Sequence, residues 1–190
     1  YFKRNKDRMI ISKNIFFKDF NSSVKSTKIF NFLKKFVKED NEIFKSLKIT
    51  YKDKFNRKLI SNLKNFKKIC IIGMGGSILG SKAIYNFLLE KIKKEFVFVD
   101  NLNSRISKKF LREKKINLII SKSGNTLETI SNSNIILNKK DKNIFITENK
   151  NNYLRSLAHK LKSEVVDHNN YIGGRYSVLS EVGMLPAMLM

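Results

Sequence analysis

The chain has 190 residues, of which 42% are apolar, and its 39 Lys+Arg against 16 Asp+Glu leave a formal charge of +23, with one cysteine and one proline. This composition excludes collagen-like, mucin-like and membrane-spanning chains, and the length is that of one ordinary domain able to bury roughly 70% of the surface it exposes when unfolded. The lone Cys70 excludes an intramolecular disulfide, and no basic-then-apolar leader opens the chain, so a cytoplasmic location is expected.

Lysine supplies 32 of the 39 cations, scattered among 22 asparagines, whereas arginine, the better reader of bases, occurs seven times. A solvated lysine surface with nonspecific polyanion affinity fits this distribution, and neither a specific nucleic-acid partner nor a membrane partner is expected. The chain opens on Tyr1 and closes on EVGMLPAMLM, an apolar run without a capping residue. The expectation is a fragment of a longer protein, truncated at its C-terminal side, with part of the functional apparatus beyond Met190.

In chain order, the first fifty or so residues lack Gly and Pro, and apolar residues recur at helical intervals (Ile29, Phe30, Phe32, Leu33, Phe36, Val37, then Ile43, Phe44, Leu47). They predict a helical N-terminal lobe over residues 1–60. From Lys67 the pattern changes to short β-branched runs: Ile69 to Ile72, Phe96 to Val99, Leu118 to Ile120, Ile144 to Ile146 and Val165 to Val166. Helical patterns fall between and after them, near Ile78 to Lys94, Ser104 to Glu113, Thr126 to Leu137, Asn152 to Leu161 and from Ser177 onward. This alternation predicts an α/β domain over residues 61–190, built on a parallel sheet with helices on both sides, a three-layer sandwich. Ligands of such sheets sit at the carboxyl ends of the strands.

Two strand ends are unusual. The first runs into GMGGSILGS, with Gly73, Gly75, Gly76 and Gly80 around Ser77, which suits an anion at a helix N-terminus. The dinucleotide fingerprint fails at Ile78, and the P-loop pattern fails because Ser81 precedes Lys82 in reversed order. A purely structural turn also fits. The third strand runs into SKSGNTLET, where Ser121, Ser123, Thr126 and Thr129 place four hydroxyls within nine residues beside Lys122. Hydroxyls and backbone N–H groups at a helix start hold a phosphate monoester without a metal, although Thr126 and Glu128 also read as ordinary capping. A third segment, GGRYSVLSEVGMLPA, sets Arg175 beside a glycine pair before another helix, where its guanidinium can neutralise an anion or serve simply as a surface residue of a turn.

Taken together, IGMGGSILGS, IISKSGNTLET and GGRYSVLSEVGMLPA resemble, in order and spacing, the glycine-rich turn, sugar-phosphate loop and G-G-R-[YF]-S segment of glucose-6-phosphate isomerases. The first two are also similar to the wider sugar-isomerase (SIS) domain family. The resemblance implies that Gly76 and Ser77 touch substrate, that Ser121, Lys122, Ser123, Gly124, Asn125, Thr126 and Thr129 cradle its phosphate, that Glu128 lies beside the sugar and that Arg175 stabilises an enediol-type intermediate. It implies aldose–ketose isomerisation of glucose 6-phosphate and fructose 6-phosphate without metal or other cofactor, in a cytoplasmic homodimer when full length. The base, a histidine and a lysine of that family belong to later segments, so this chain alone is expected to be inactive.

Gly124-Asn125 replaces a bulkier pair of many family members and Leu127 stands where they carry Gln, changes that widen the loop or alter its surrounding hydrogen bonds. His159 and His168 match no motif and read as structural or surface residues, and Cys70 as a core residue. A noncatalytic sugar-phosphate sensor on an SIS domain and a general polyanion binder stay open, although the N-terminal lobe shows no helix-turn-helix.

Overall fold

The computed structural model describes residues 26–38, 42–102 and 107–190. The chain divides into two compact units, Tyr1–Glu39 and Asp40–Met190. In the first, α1 (Ser26–Lys38) gathers its apolar residues on one face and its lysines on the other, with Phe32 and Phe36 stacked at 5.7 Å and the Lys34 ammonium 4.5 Å from the Phe30 ring centre. Residues 1–25 and 39–41 of the expected helical lobe lie outside the described residues. The boundary expected near residue 60 differs from the observed division at 39/40. The physical reason is burial: Leu59, Ile60 and Leu63 of α2 (Arg57–Leu63) sit in the core of the second unit.

That unit is built on a five-stranded, wholly parallel sheet of β1 (Lys68–Gly73), β2 (Glu95–Val99), β3 (Ile116–Ile120), β4 (Lys142–Glu148) and β5 (Glu164–His168), in the order β2-β1-β3-β4-β5. The β-branched runs form these strands because alternate side chains are buried on opposite faces. Ile69, Ile71, Leu118, Ile120, Ile144 and Ile146 pack with α2, α3 (Gly76–Phe87) and α7 (Glu181–Leu189). Cys70, Ile72, Ile119 and Phe145 pack on the other face with α4 (Lys108–Arg112), α5 (Leu127–Ile136) and α6 (Tyr153–Lys160). The result is the α/β sandwich expected from the sequence.

Two helices differ from the periodicity. The one expected from Ile78 to Lys94 begins at Gly76 and stops at Phe87, followed by a separate 3-10 turn at Leu89–Lys91 that Lys91 N–H closes on Leu88 O at 2.8 Å. The one expected from Ser177 is split into a 3-10 turn at Gly174–Leu179 and α7, because Ser180 between them is extended (φ −108°, ψ −172°). The expected start of the fourth helix at Ser104 lies outside the described residues.

Cys70 is fully buried in β1, and burial pushes its thiol up to about 12. Native protein is therefore expected to resist alkylation by iodoacetamide at pH 8 and to react fully in urea, with intact mass as the readout. Rapid labelling of native protein would show that the strand opens.

Candidate functional site

The sheet order sets the location. β1 connects to β2 on one side and β3 lies on the other, so successive crossovers diverge at the β1/β3 boundary and leave a crevice beyond the carboxyl ends of those strands. The register pairs Gly73 with Ile120, so the glycine turn and the hydroxyl loop leave the sheet side by side.

In the glycine turn, Gly75 has φ +56°, a conformation that favours glycine, and starts α3 at Gly76. Gly76 is needed for a different reason: a Cβ there would lie 2.3 Å from Gly174 O, so the first turn and the third segment meet backbone to backbone. Ser177, almost fully buried, locks that meeting by directing its Oγ at both Gly76 O (3.2 Å) and Gly174 O (2.8 Å). Ser77 is half-buried at the start of α3.

In the hydroxyl loop, Ser121 Oγ and Thr126 Oγ1 share a hydrogen bond of 2.8 Å, and Gly124 N–H donates to Ser121 Oγ at 3.2 Å. Asn125 N–H donates to Ser123 Oγ at 3.3 Å, and α5 begins immediately after Thr126. Ser123 and Asn125 are exposed, and Glu128 is half-buried in the first turn of α5. Two predicted cradle residues are placed differently. Thr129 is buried, with its Oγ1 enclosed and unpaired, because it falls on the sheet-facing side of α5. Lys122 turns its ammonium to Asn170 O and to Glu148 Oε1 at 3.5 Å, attached to the ends of β4 and β5 rather than to the loop's hydroxyls.

Arg175 stands in the 3-10 turn next to the Gly76–Gly174 contact, exposed, and its guanidinium has no hydrogen-bond or ion-pair partner among the described residues. The Arg175 segment thus meets the glycine turn, and the glycine turn and the hydroxyl loop leave neighbouring strands, each at the start of a helix. Backbone N–H groups and hydroxyls at two neighbouring helix starts are chemically suited to an anion.

Residues 58–190 match the family model of phosphoglucose isomerase. The chain belongs to the phosphoglucose isomerase family. It is 31% identical over 160 residues to glucose-6-phosphate isomerase of Methanocaldococcus jannaschii, covering 78% of this chain and 39% of that protein. It is 35% identical over 143 residues to the enzyme of the same name from Borreliella afzelii, covering 66% and 27%. The chain thus spans well under half the length of these relatives. Among solved structures, a hypothetical protein of Thermus thermophilus superposes with a TM-score of 0.62 at 23% identity, covering 84% of this chain and 42% of that one. The Vibrio vulnificus NanR protein complexed with ManNAc-6P does so at 0.53 and 17%, covering 88% and 61%. These likenesses show the fold, which is of the SIS type. Among the described residues no helix is long and apolar enough to cross a membrane.

Around the site this phosphoglucose isomerase family chain carries supports that its motifs do not announce. Glu181, fully buried at the start of α7, accepts hydrogen bonds from Tyr51 OH (2.7 Å) and Lys54 N–H (3.2 Å) and faces His168 Nδ1 at 3.5 Å. Burial alone would raise its carboxyl, but the nearby His168 ring and the bond from Tyr51 outweigh it and hold the group below the usual carboxylate range. Burial, then Glu181, pushes the Tyr51 hydroxyl upward, so it remains a donor. His168 Nε2 lies 3.2 Å from Ile172 O, so the buried histidine stands between the turn after β5 and Glu181. His159 is exposed in the last turn of α6, where a cation suits the helix dipole.

Proposed function

We propose that this chain is the sugar-phosphate-binding portion of a glucose-6-phosphate isomerase, interconverting glucose 6-phosphate and fructose 6-phosphate through a cis-enediol. The observation that carries this reading is the meeting of Gly76 with Gly174 under Ser177, which sets the Arg175 segment beside the glycine turn. Membership of the phosphoglucose isomerase family supports the substrate class.

In the proposed mechanism the loop from Ser121 to Thr126 holds the 6-phosphate by its hydroxyls and by N–H groups at the start of α5, while Gly76 and Ser77 contact the sugar. The reaction takes the proton from C2 of the open-chain aldose. The C2 electron pair forms the C1–C2 double bond, and negative charge gathers on O1. O1 takes up a proton to give the enediol, the O2 hydroxyl gives up its proton as the C2 carbonyl forms, and the proton taken from C2 returns to C1, which gives the ketose with no net gain or loss of protons. Arg175 neutralises the oxyanion, an electrostatic effect that grows as charge develops and therefore acts on the transition state rather than on substrate binding. Glu128 lies beside the sugar. The base, the ring-opening histidine and the lysine come from outside these 190 residues, and the complete enzyme is a cytoplasmic homodimer. The proposed functional division is a helical N-terminal lobe followed by an SIS domain whose core includes α2 (Arg57–Leu63).

The test compares wild type with Arg175→Ala by calorimetric titration against glucose 6-phosphate and against an aldonic-acid 6-phosphate whose carboxylate imitates the enediolate. Arg175→Ala is expected to weaken the aldonic acid by about a hundredfold and the substrate far less. Equal weakening of both would remove Arg175 from the proposed chemistry, and robust turnover by the 190-residue chain would refute the external base.

A further inference from the structure

Asn152 belongs to none of the three site segments. It follows β4, caps α6 and is 8% exposed. Its Oδ1 accepts from Arg155 N–H at 2.9 Å, which is all that a helix cap requires. Its Nδ2 makes contacts that capping does not need, donating to Thr147 Oγ1 (3.2 Å), Glu148 O (3.4 Å) and Lys150 O (3.0 Å).

These contacts lead to the hydroxyl loop from two directions. Thr147 Oγ1 donates in turn to Lys122 O at 3.2 Å, and Glu148 N–H reaches the same carbonyl at 3.0 Å, so a continuous hydrogen-bonded path joins the Asn152 carboxamide to the loop backbone. On the other side Gly124 rests on the carboxamide itself: a Cβ at Gly124 would lie 2.0 Å from Asn152 Oδ1 and 2.2 Å from Cγ. Gly124 also has φ +68°, so both its conformation and its contact need glycine. The next two residues of α6 complete the docking, with Leu154 N–H on Gly124 O at 3.1 Å and Tyr153 N–H on Asn125 Oδ1 at 3.0 Å. The Gly-Asn pair therefore does not loosen the loop. It moulds the loop onto the start of α6.

We infer that Asn152 is a positioning residue of the hydroxyl loop: its carboxamide, held between Thr147 and Gly124, sets the conformation of residues 122–125 separately from its capping of α6. The consequence for ligand binding rests on the reading of that loop as the phosphate cradle. A cradle set before the ligand arrives binds tighter, because the ordering is complete in the free protein.

Asn152→Ser separates the two roles, since serine caps a helix about as well as asparagine but lacks the donors to Thr147, Glu148 and Lys150. The measurements are amide hydrogen exchange at Gly124 and Leu154, referred to Ile119 and Phe145 in the sheet, and titration with glucose 6-phosphate. In Asn152→Ser the unfolding midpoint is expected near wild type, the Gly124 amide, which donates to Ser121 within the loop, and the Leu154 amide, which docks on Gly124 O, are expected to exchange about tenfold faster, and affinity is expected to fall by about tenfold. Asn152→Ala is expected to show the same losses together with a lower midpoint. Wild-type exchange at Gly124 and Leu154 in Asn152→Ser would overturn the inference and leave Asn152 a helix cap. If the amides respond while wild type binds no hexose 6-phosphate, the positioning role stands and the proposed function fails.

Discussion

Lys115→Ala is expected to lower the free energy of unfolding by about 3–5 kcal/mol, the usual cost of leaving one member of a buried ion pair alone. Lys115 is 0% exposed at the entrance to β3, with its ammonium 2.8 Å from Asp141 Oδ2 at the entrance to β4. The same ammonium is satisfied by Leu111 O at 3.4 Å and Glu113 O at 3.3 Å and stands 5.2 Å from the Phe110 ring centre. Asp141 also accepts from Asn117 Nδ2 at 3.2 Å, and that amide donates to Asn143 Oδ1 at 2.8 Å, so the pair anchors a polar seam between β3 and β4. Removing the lysine leaves Asp141 buried without its counter-charge. Urea denaturation of wild type, Lys115→Ala and Lys115→Met/Asp141→Leu checks this: the double variant is expected to recover most of the loss, because it takes both charges out of the interior. A single variant within about 1 kcal/mol of wild type would show that water reaches the pair. The seam lies at the end of the sheet opposite the crevice, so any ligand binding by the folded fraction is expected to be unaltered.

The second large effect concerns Gly76→Ala, which is expected to abolish sugar-phosphate binding and to destabilise the domain by about 1–3 kcal/mol or more through overpacking. The added methyl would sit 2.3 Å from Gly174 O and 2.4 Å from Gly174 C, backbone atoms that cannot rotate away, so the segment carrying Arg175 has to leave its place. Gly75→Ala is the informative control. A Cβ there meets nothing within 4 Å, and its cost is the backbone conformation of φ +56° and ψ −124°, about 1–3 kcal/mol. Titration with glucose 6-phosphate alongside urea unfolding separates the two, with binding lost in Gly76→Ala and measurable in Gly75→Ala. Wild-type affinity in Gly76→Ala would mean that the two backbones do not meet in solution.

The crevice and the stabilising seam were unequally legible in the amino-acid sequence. The strands were readable because a parallel sheet covered on both faces demands unbroken β-branched runs, and Ile69 to Ile72 or Ile144 to Ile146 leave few other structures. The glycine turn, the hydroxyl loop and the turn carrying Arg175 were readable as strand-end turns leading into helices because glycines and hydroxylic residues at short spacing are a local requirement of such turns. Thr129 is the hydroxyl of this stretch that the fold sets apart: hydroxyls adjacent in sequence diverge once a helix begins, and its position on α5 turns it inward. Lys122 was read as a phosphate ligand because its sequence neighbours are polar, whereas Glu148 and Asn170, which hold its ammonium, are far along the chain.

Composition and local pattern were sufficient for the fold class, the strand order's raw material and the three glycine- and hydroxyl-rich segments, since each follows from short-range periodicity or a compact motif. Only the tertiary structure decided what braces them: Ser177 reaching Gly76 across 101 residues, Tyr51 reaching Glu181 across 130, Asn152 seated on Gly124, and Lys115, one of 32 lysines, buried against Asp141. Such pairings cannot be read from one chain because the residue types are ordinary, and their meaning comes from losing solvent together, which happens only when the sheet brings them into contact.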